Sequence, residues 1–250
     1  MSTEIVVSVI AAAVALTSAY LSARASQGTA RLTHELDLQQ SRTTKEQQVE
    51  ELMSRYREPL LRAAFDLQSR IYNIIKQGFL VRYGRHGRDH EREYALDNTL
   101  FLFGEYFSWV EILRRDVQFL DLGDVERNRL LVGCLEKIRH TLADDREIKD
   151  PSFRIFRGHQ RALGELMISS DDDDGARRQC LGYAQFRAHL RGNASFTEWF
   201  RPVADEVSAL ENNDAPNCQR LTELQHALVD LIDFLDDPPR RFLREHRTKL

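Results

Sequence analysis

Apolar residues recur at helical spacing along most of this chain, and the places where they stop divide it. The first run is the longest: Ile5 to Ala23, IVVSVIAAAVALTSAYLSA, is nineteen residues without a charge. At 1.5 Å rise per residue, a helix of that length just crosses the roughly 30 Å hydrocarbon core of a bilayer. Six alanines and the polar Ser8, Thr17, Ser18 and Ser22 make it a marginal span. Ile5, Val9, Val14, Leu16 and Leu21 are the residues that would carry it as an anchor. A cleaved signal peptide competes, because Ala23-Arg24-Ala25 fits a cleavage pattern, but Met1 to Glu4 lacks the basic n-region. The pattern predicts a transmembrane anchor over residues 1–26.

Residues 27–58 are polar, with Leu32, Leu36, Val49, Leu52 and Tyr56 at helical spacing and only Leu38 apolar between Asp37 and Gln48. A continuous coiled coil needs a sustained seam, so this segment reads as a solvated helical stalk. Pro59 suits the first turn of a new helix or a kink. The body, 59–237, then follows as amphipathic segments. Pro59 to Gln77 puts Leu60, Ala64, Leu67, Ile71 and Ile74 on one face and the charged series Arg62, Asp66 and Arg70 on the other. Tyr94 to Leu120 is apolar nearly all round, which belongs at the centre of a bundle. Its Glu105, among Phe101, Phe103, Tyr106 and Trp109, is expected to pair with an arginine from another helix.

Val125 to Ala143 follows with Leu130, Leu131, Cys134, Leu135, Ile138 and Leu142 as its buried stripe. FRIF, from Phe153, alternates and allows a short strand, and Gly158 opens a helix through Ile168. Past the acidic run Asp171 to Asp174, helical patterns resume around Gln179 to Leu190. The next begins at Ala194 or Ser195, with Phe196, Trp199, Phe200, Val203 and Val207 inward. The last helix carries the tightest seam, Leu221, Leu224, Leu228, Leu231 and Leu235, which suits packing into the domain core better than an intermolecular zipper. Pro238 and Pro239 end it, leaving residues 238–250 as a basic tail. The fold class is therefore all-α: one N-terminal span, a helical stalk and a bundle-like cytoplasmic domain.

Charge refines this picture in two ways. A net charge of −4 excludes a globally basic nucleic-acid binder, so no nucleic acid is expected. Arg24, Arg31 and Arg42 follow the apolar span while its N-terminal side has no Lys or Arg, so the body is expected in the cytoplasm and the N-terminus outside. Three widely spaced cysteines, Cys134, Cys180 and Cys218, form no disulfide framework and suit a reducing compartment.

Candidate chemistry is sparse. No phosphate-loop, dinucleotide, nucleophile-elbow or paired-cysteine zinc pattern occurs. His86 and His90 lack the glutamate of a zinc-protease helix, and the acidic run ending at Gly175 puts Leu181 where a calcium loop needs glutamate. No cofactor and no metal is expected. The best anion-binding candidates are Arg154, Arg157, His159 and Arg161, clustered at a helix start where free amides attract anions. A second basic patch is Arg82, Arg85 and Arg88. The tail residues Arg240, Arg241, Arg244, Arg247 and Lys249 could lie against an anionic leaflet.

Together these features predict a membrane-tethered interaction or regulatory module, its partners the lipid bilayer and either a protein or a second copy of itself. The alternative is a membrane-associated helical enzyme acting on a phosphate-bearing or lipid substrate.

Overall fold

The computed structural model describes residues 55–117, 125–145, 153–169, 178–212, 218–236 and 247–250, with ten further positions between 17 and 44. It divides into two units, Met1–Glu51 and Leu52–Leu250. In the first, the described positions are helical and exposed, Leu36 among them. The apolar span Ile5–Ala23 lies almost entirely outside the described residues. Among those that are described, no helix is long and apolar enough to cross a membrane.

The second unit is all-α among its described residues. Helix α1 covers residues 55–77, so Pro59 sits within a running helix rather than opening one. Its expected apolar face is buried, with Leu60, Ala64, Leu67 and Ile71 at 1% exposure or less. A π-helical turn, Leu80–Arg85, follows Gly78, whose φ of 62° suits a residue without Cβ. Then come α2 (Asp89–Val117), α3 (Val125–Ala143), α4 (Arg157–Leu166), α5 (Tyr183–Gly192), α6 (Ala194–Asn212) and α7 (Gln219–Leu235).

Helix α2 is the hub, as its near-continuous hydrophobicity predicts. Its main partner is α4, and it also meets the π-turn, α5 and α6. The α2–α4 crossing is close because Gly164 lies directly over the Phe107 carbonyl, where a Cβ would stand 2.5 Å from the oxygen. Helix α3 packs chiefly on α7, with a smaller contact to α4. The leucine seam of α7 is entirely in the core, Leu221 to Leu235 being 2% exposed or less.

Several local expectations need correction. FRIF is no strand: Phe153 has φ 57° and its N–H donates to Glu206 (2.6 Å), while the Ile155 N–H donates to the Leu142 carbonyl (2.9 Å). The alternation reflects two buried anchors, Phe153 and Ile155, in an irregular segment. The single β-bridge among the described residues joins Ile168 to Cys180 instead. Leu130 and Trp199 are exposed rather than buried.

The charged series on α1 is also broken. Arg62 pairs with Glu58 (2.8 Å), while Arg70 is buried, donates to Asn98 and lies 3.9 Å from the Phe79 ring centroid.

The end of the chain folds back on α7. Arg247 pairs with Asp236 (2.7 Å) and Asp233 (3.1 Å), with side-chain exposures of 2% for Arg247 and 3% for Asp236. Lys249 pairs with Asp230, and Gln225 donates to the Thr248 carbonyl (2.9 Å). Arg247 and Lys249 are therefore spent on carboxylates of α7 rather than presented to a leaflet. Arg240, Arg241 and Arg244 lie outside the described residues.

Candidate functional site

Because α3 leans on α7 and α4 rather than on α2, a cleft remains between α2, α3 and α4. Its volume is about 810 Å³, within the range of small-ligand sites. The floor is apolar: Phe107, Val110 and Leu113 from α2 face Leu131, Leu135 and Ile138 from α3. Gly158, in the first turn of α4, also lines the cleft, and a Cβ there would meet nothing within 4 Å. Four arginines stand around this floor: Arg114, Arg139, Arg157 and Arg161.

Their neighbours decide how much positive charge is left over. Glu111, 4% exposed, accepts two hydrogen bonds from Arg114 (both 2.7 Å) and one from Arg115 (2.7 Å). Burial works against the charge of Glu111, and those hydrogen bonds more than offset it, holding its carboxyl below the usual range. Arg115 continues to Glu165 (3.2 Å), which also takes Arg161 (2.9 Å). Arg139 donates to Glu136 (2.6 Å), yet its Nε is buried with no hydrogen-bond partner. The Arg157 guanidinium has no partner among the described residues. Arg114, Arg139 and Arg161 each meet a carboxylate, on Glu111, Glu136 and Glu165, which leaves Arg157 as the lining arginine without one among the described residues.

The N-terminus of α4 adds to this. Phe156 occupies its N-cap and makes no side-chain capping bond, so no side chain of the cap residue answers the free amides of the first turn.

The four anion candidates from the sequence are thus divided. Arg157 and Arg161, four apart, share the helical face that lines the cleft. His159 lies two residues on, about 200° around the helix, and packs edge-on against Trp199 at 5.6 Å between ring centroids. Arg154 precedes the helix, half-buried, with its Nε unpartnered. The second basic patch is not assembled into a site: Arg82 and Arg85 are exposed on the π-turn, and Arg88 is taken by Glu91, which accepts from its backbone N–H (2.7 Å) and its guanidinium (3.3 Å).

Arg114 and Arg139 were not legible as site residues, because each sits at an ordinary i,i+3 spacing from a glutamate on its own helix. Only the tertiary gap brings them to one rim. A weak signal did exist: Arg139 lies one turn beyond Leu135, on the edge of an apolar stripe.

Two other places hold polar groups. A smaller cavity of about 330 Å³, lined by Phe65, Gln68, Ser69, Tyr72 and Asn73 of α1 and by Thr248, mixes polar and apolar surface and carries no charged group. Among the described residues no arginine pairs with Glu105, contrary to the expectation for that helix. Burial first, and the charge of Asp66 second, push its carboxyl up to about 7. Among the described residues no group of three His, Cys, Asp or Glu side chains could hold a metal ion.

The arrangement defines a helical body with an amphipathic, arginine-rimmed cleft. Comparison with family models, with curated proteins and with solved structures returns no match to this chain.

Proposed function

We propose that this chain is a membrane-tethered regulatory or interaction module whose recognition surface is the cleft between α2, α3 and α4. The uncharged stretch Ile5–Ala23 supplies the tether, and the basic residues after it favour a cytoplasmic body with the N-terminus outside. The observation that carries the reading is the cleft itself: an apolar floor of about 810 Å³ under a rim with excess arginine. Its polar chemistry suits binding better than catalysis. Glu111 is tied to two arginines, and burial pushes the Tyr106 hydroxyl up, away from a useful acid or base.

Two measurements test the proposal on the full chain. Carbonate-washed membranes should retain a protein that still begins at Met1 or Ser2, and removing residues 5–23 should release it. A photo-crosslinking residue at exposed Val132, on the cleft, should form an adduct in cells that disappears when Leu135→Trp fills the floor. A soluble protein starting near Ser26 sinks the tether. Equal adducts with the cleft open and filled sink the recognition surface.

A further inference from the structure

We propose that the occupant of the α2/α3/α4 cleft is an anionic lipid, its phosphate on the arginine rim and its hydrocarbon along the floor. The inference rests on reading the cleft as a recognition surface and names what it recognises.

The argument begins with charge. Two lining arginines are incompletely answered by the protein: Arg157 has no partner among the described residues, and the Nε of Arg139 is buried without an acceptor. A buried N–H left unpaired keeps its full desolvation cost, so an acceptor arriving there gains what the fold leaves unmade. Guanidinium forks suit the oxygens of phosphate better than any neutral group. The first turn of α4, with Gly158 open to the cleft and no side-chain cap, points its dipole at the same rim.

The floor sets the other half of the ligand. Val110, Val132 and Leu135 are the lining residues whose apolar side chains stay accessible, so a free phosphate would leave that surface in water while a hydrocarbon chain would cover it. Size suits a small amphiphile: about 810 Å³ falls within the roughly 300–1,000 Å³ of small-molecule sites. Each further buried methylene adds to binding, so chain length and headgroup charge should both register in affinity.

The test uses the full chain in phosphatidylcholine nanodiscs, with amide hydrogen exchange read on peptides from α2, α3 and α4. The probes are octyl phosphate, octyl glucoside and inorganic phosphate, each below any micelle-forming concentration. Octyl phosphate should protect the cleft-lining peptides at concentrations at least about tenfold below those needed for either control. Arg157→Gln, a surface change that should leave melting unaltered, should weaken octyl phosphate by about tenfold or more and leave octyl glucoside unmoved. Leu135→Trp should abolish protection by both amphiphiles.

Equal protection by octyl phosphate and octyl glucoside would overturn the anionic headgroup while leaving the cleft a recognition surface. Protection by inorganic phosphate alone would overturn the lipid. Absence of protection by every probe would overturn the lipid together with the reading beneath it. Protection that grows only with protein concentration would assign the face to a second copy of the chain and overturn the lipid as well.

Discussion

Replacing Gly164 with alanine tests the packing that frames the cleft. Helix α4 approaches α2 so closely that a Cβ on Gly164 would stand 2.5 Å from the Phe107 carbonyl oxygen, 2.9 Å from its carbon and 3.1 Å from the Glu111 Cβ. Carbon-to-carbonyl contacts settle near 3.3–3.6 Å, so the two helices would have to part by nearly an ångström. The obstacle is backbone in a long helix, which cannot swing aside as a flexible side chain can. Overpacking of this kind costs about 1–3 kcal/mol. Against it stands the better helix propensity of alanine, up to about 1 kcal/mol.

The net expectation is a loss of about 1–2 kcal/mol. For a body of this size each kcal/mol moves Tm by roughly 2–4 °C, so Gly164→Ala should melt about 2–8 °C below the parent. The matched control is Gly133→Ala in α3, where a Cβ meets nothing within 4 Å. There only the propensity term acts, and Tm should rise by about 1–4 °C. Far-UV circular dichroism melts of both variants on the full chain read the difference. If Gly164→Ala melts at or above the parent while Gly133→Ala rises as expected, the close α2–α4 crossing is wrong and so is the floor derived from it.

Three further outcomes follow from the same contacts. Glutamate in the unfolded chain titrates near 4.5, and Glu105 in the fold is pushed up to about 7. The folded state therefore binds more protons between these values, so stability falls as pH rises from about 4.5 to about 7 and is level above. Glu105→Gln should remove that slope and melt higher than the parent at about pH 8, with no gain at about pH 4. Arg247→Met breaks the buried ion pair with Asp236, a loss of about 3–5 kcal/mol, so Tm should drop by roughly 6–20 °C and the amides of 248–250 should exchange faster. Adding Asp236→Leu should recover much of that loss. Burial pushes the Cys180 thiol up to about 12, so alkylation at about pH 8 should leave it unmodified in the native protein and label it only in denaturant.

Elements whose apolar residues meet one neighbour were legible from spacing alone. The α7 seam is all core, and α3 runs from Val125 to Ala143 as its stripe predicts. Errors arose where burial depends on a second element. Leu130 and Leu131 are adjacent and equally apolar, but only Leu131 turns toward the protein, because α7 and α4 define which side of α3 is inside. Trp199 extends the apolar face of α6 in sequence, yet it is exposed and meets His159 edge-on. Glu105 was assigned an arginine because buried carboxylates usually have one; nothing in the local pattern shows that Asp66 is the charge that comes near. The basic tail reads as available to a leaflet because the carboxylates that hold Arg247 and Lys249 lie on a helix that itself reads as leucine-rich core.

The cleft has the same origin as these errors. A helix that is apolar nearly all round can bury its circumference only if neighbours surround it, and α2 has α4, α5, α6 and the π-turn as partners. The sector of Phe107, Val110 and Leu113 faces α3, but α3 is committed to α7 through its other side and does not close on it. Filling the gap with larger side chains would have been the simplest way to stabilise the body. Instead the lining includes Gly158 and four arginines, with Arg157 unpaired among the described residues and Val110, Val132 and Leu135 still carrying accessible apolar surface. Unmatched surface of both kinds at one place argues for a ligand that carries both, rather than for a packing defect, which would leave apolar surface alone.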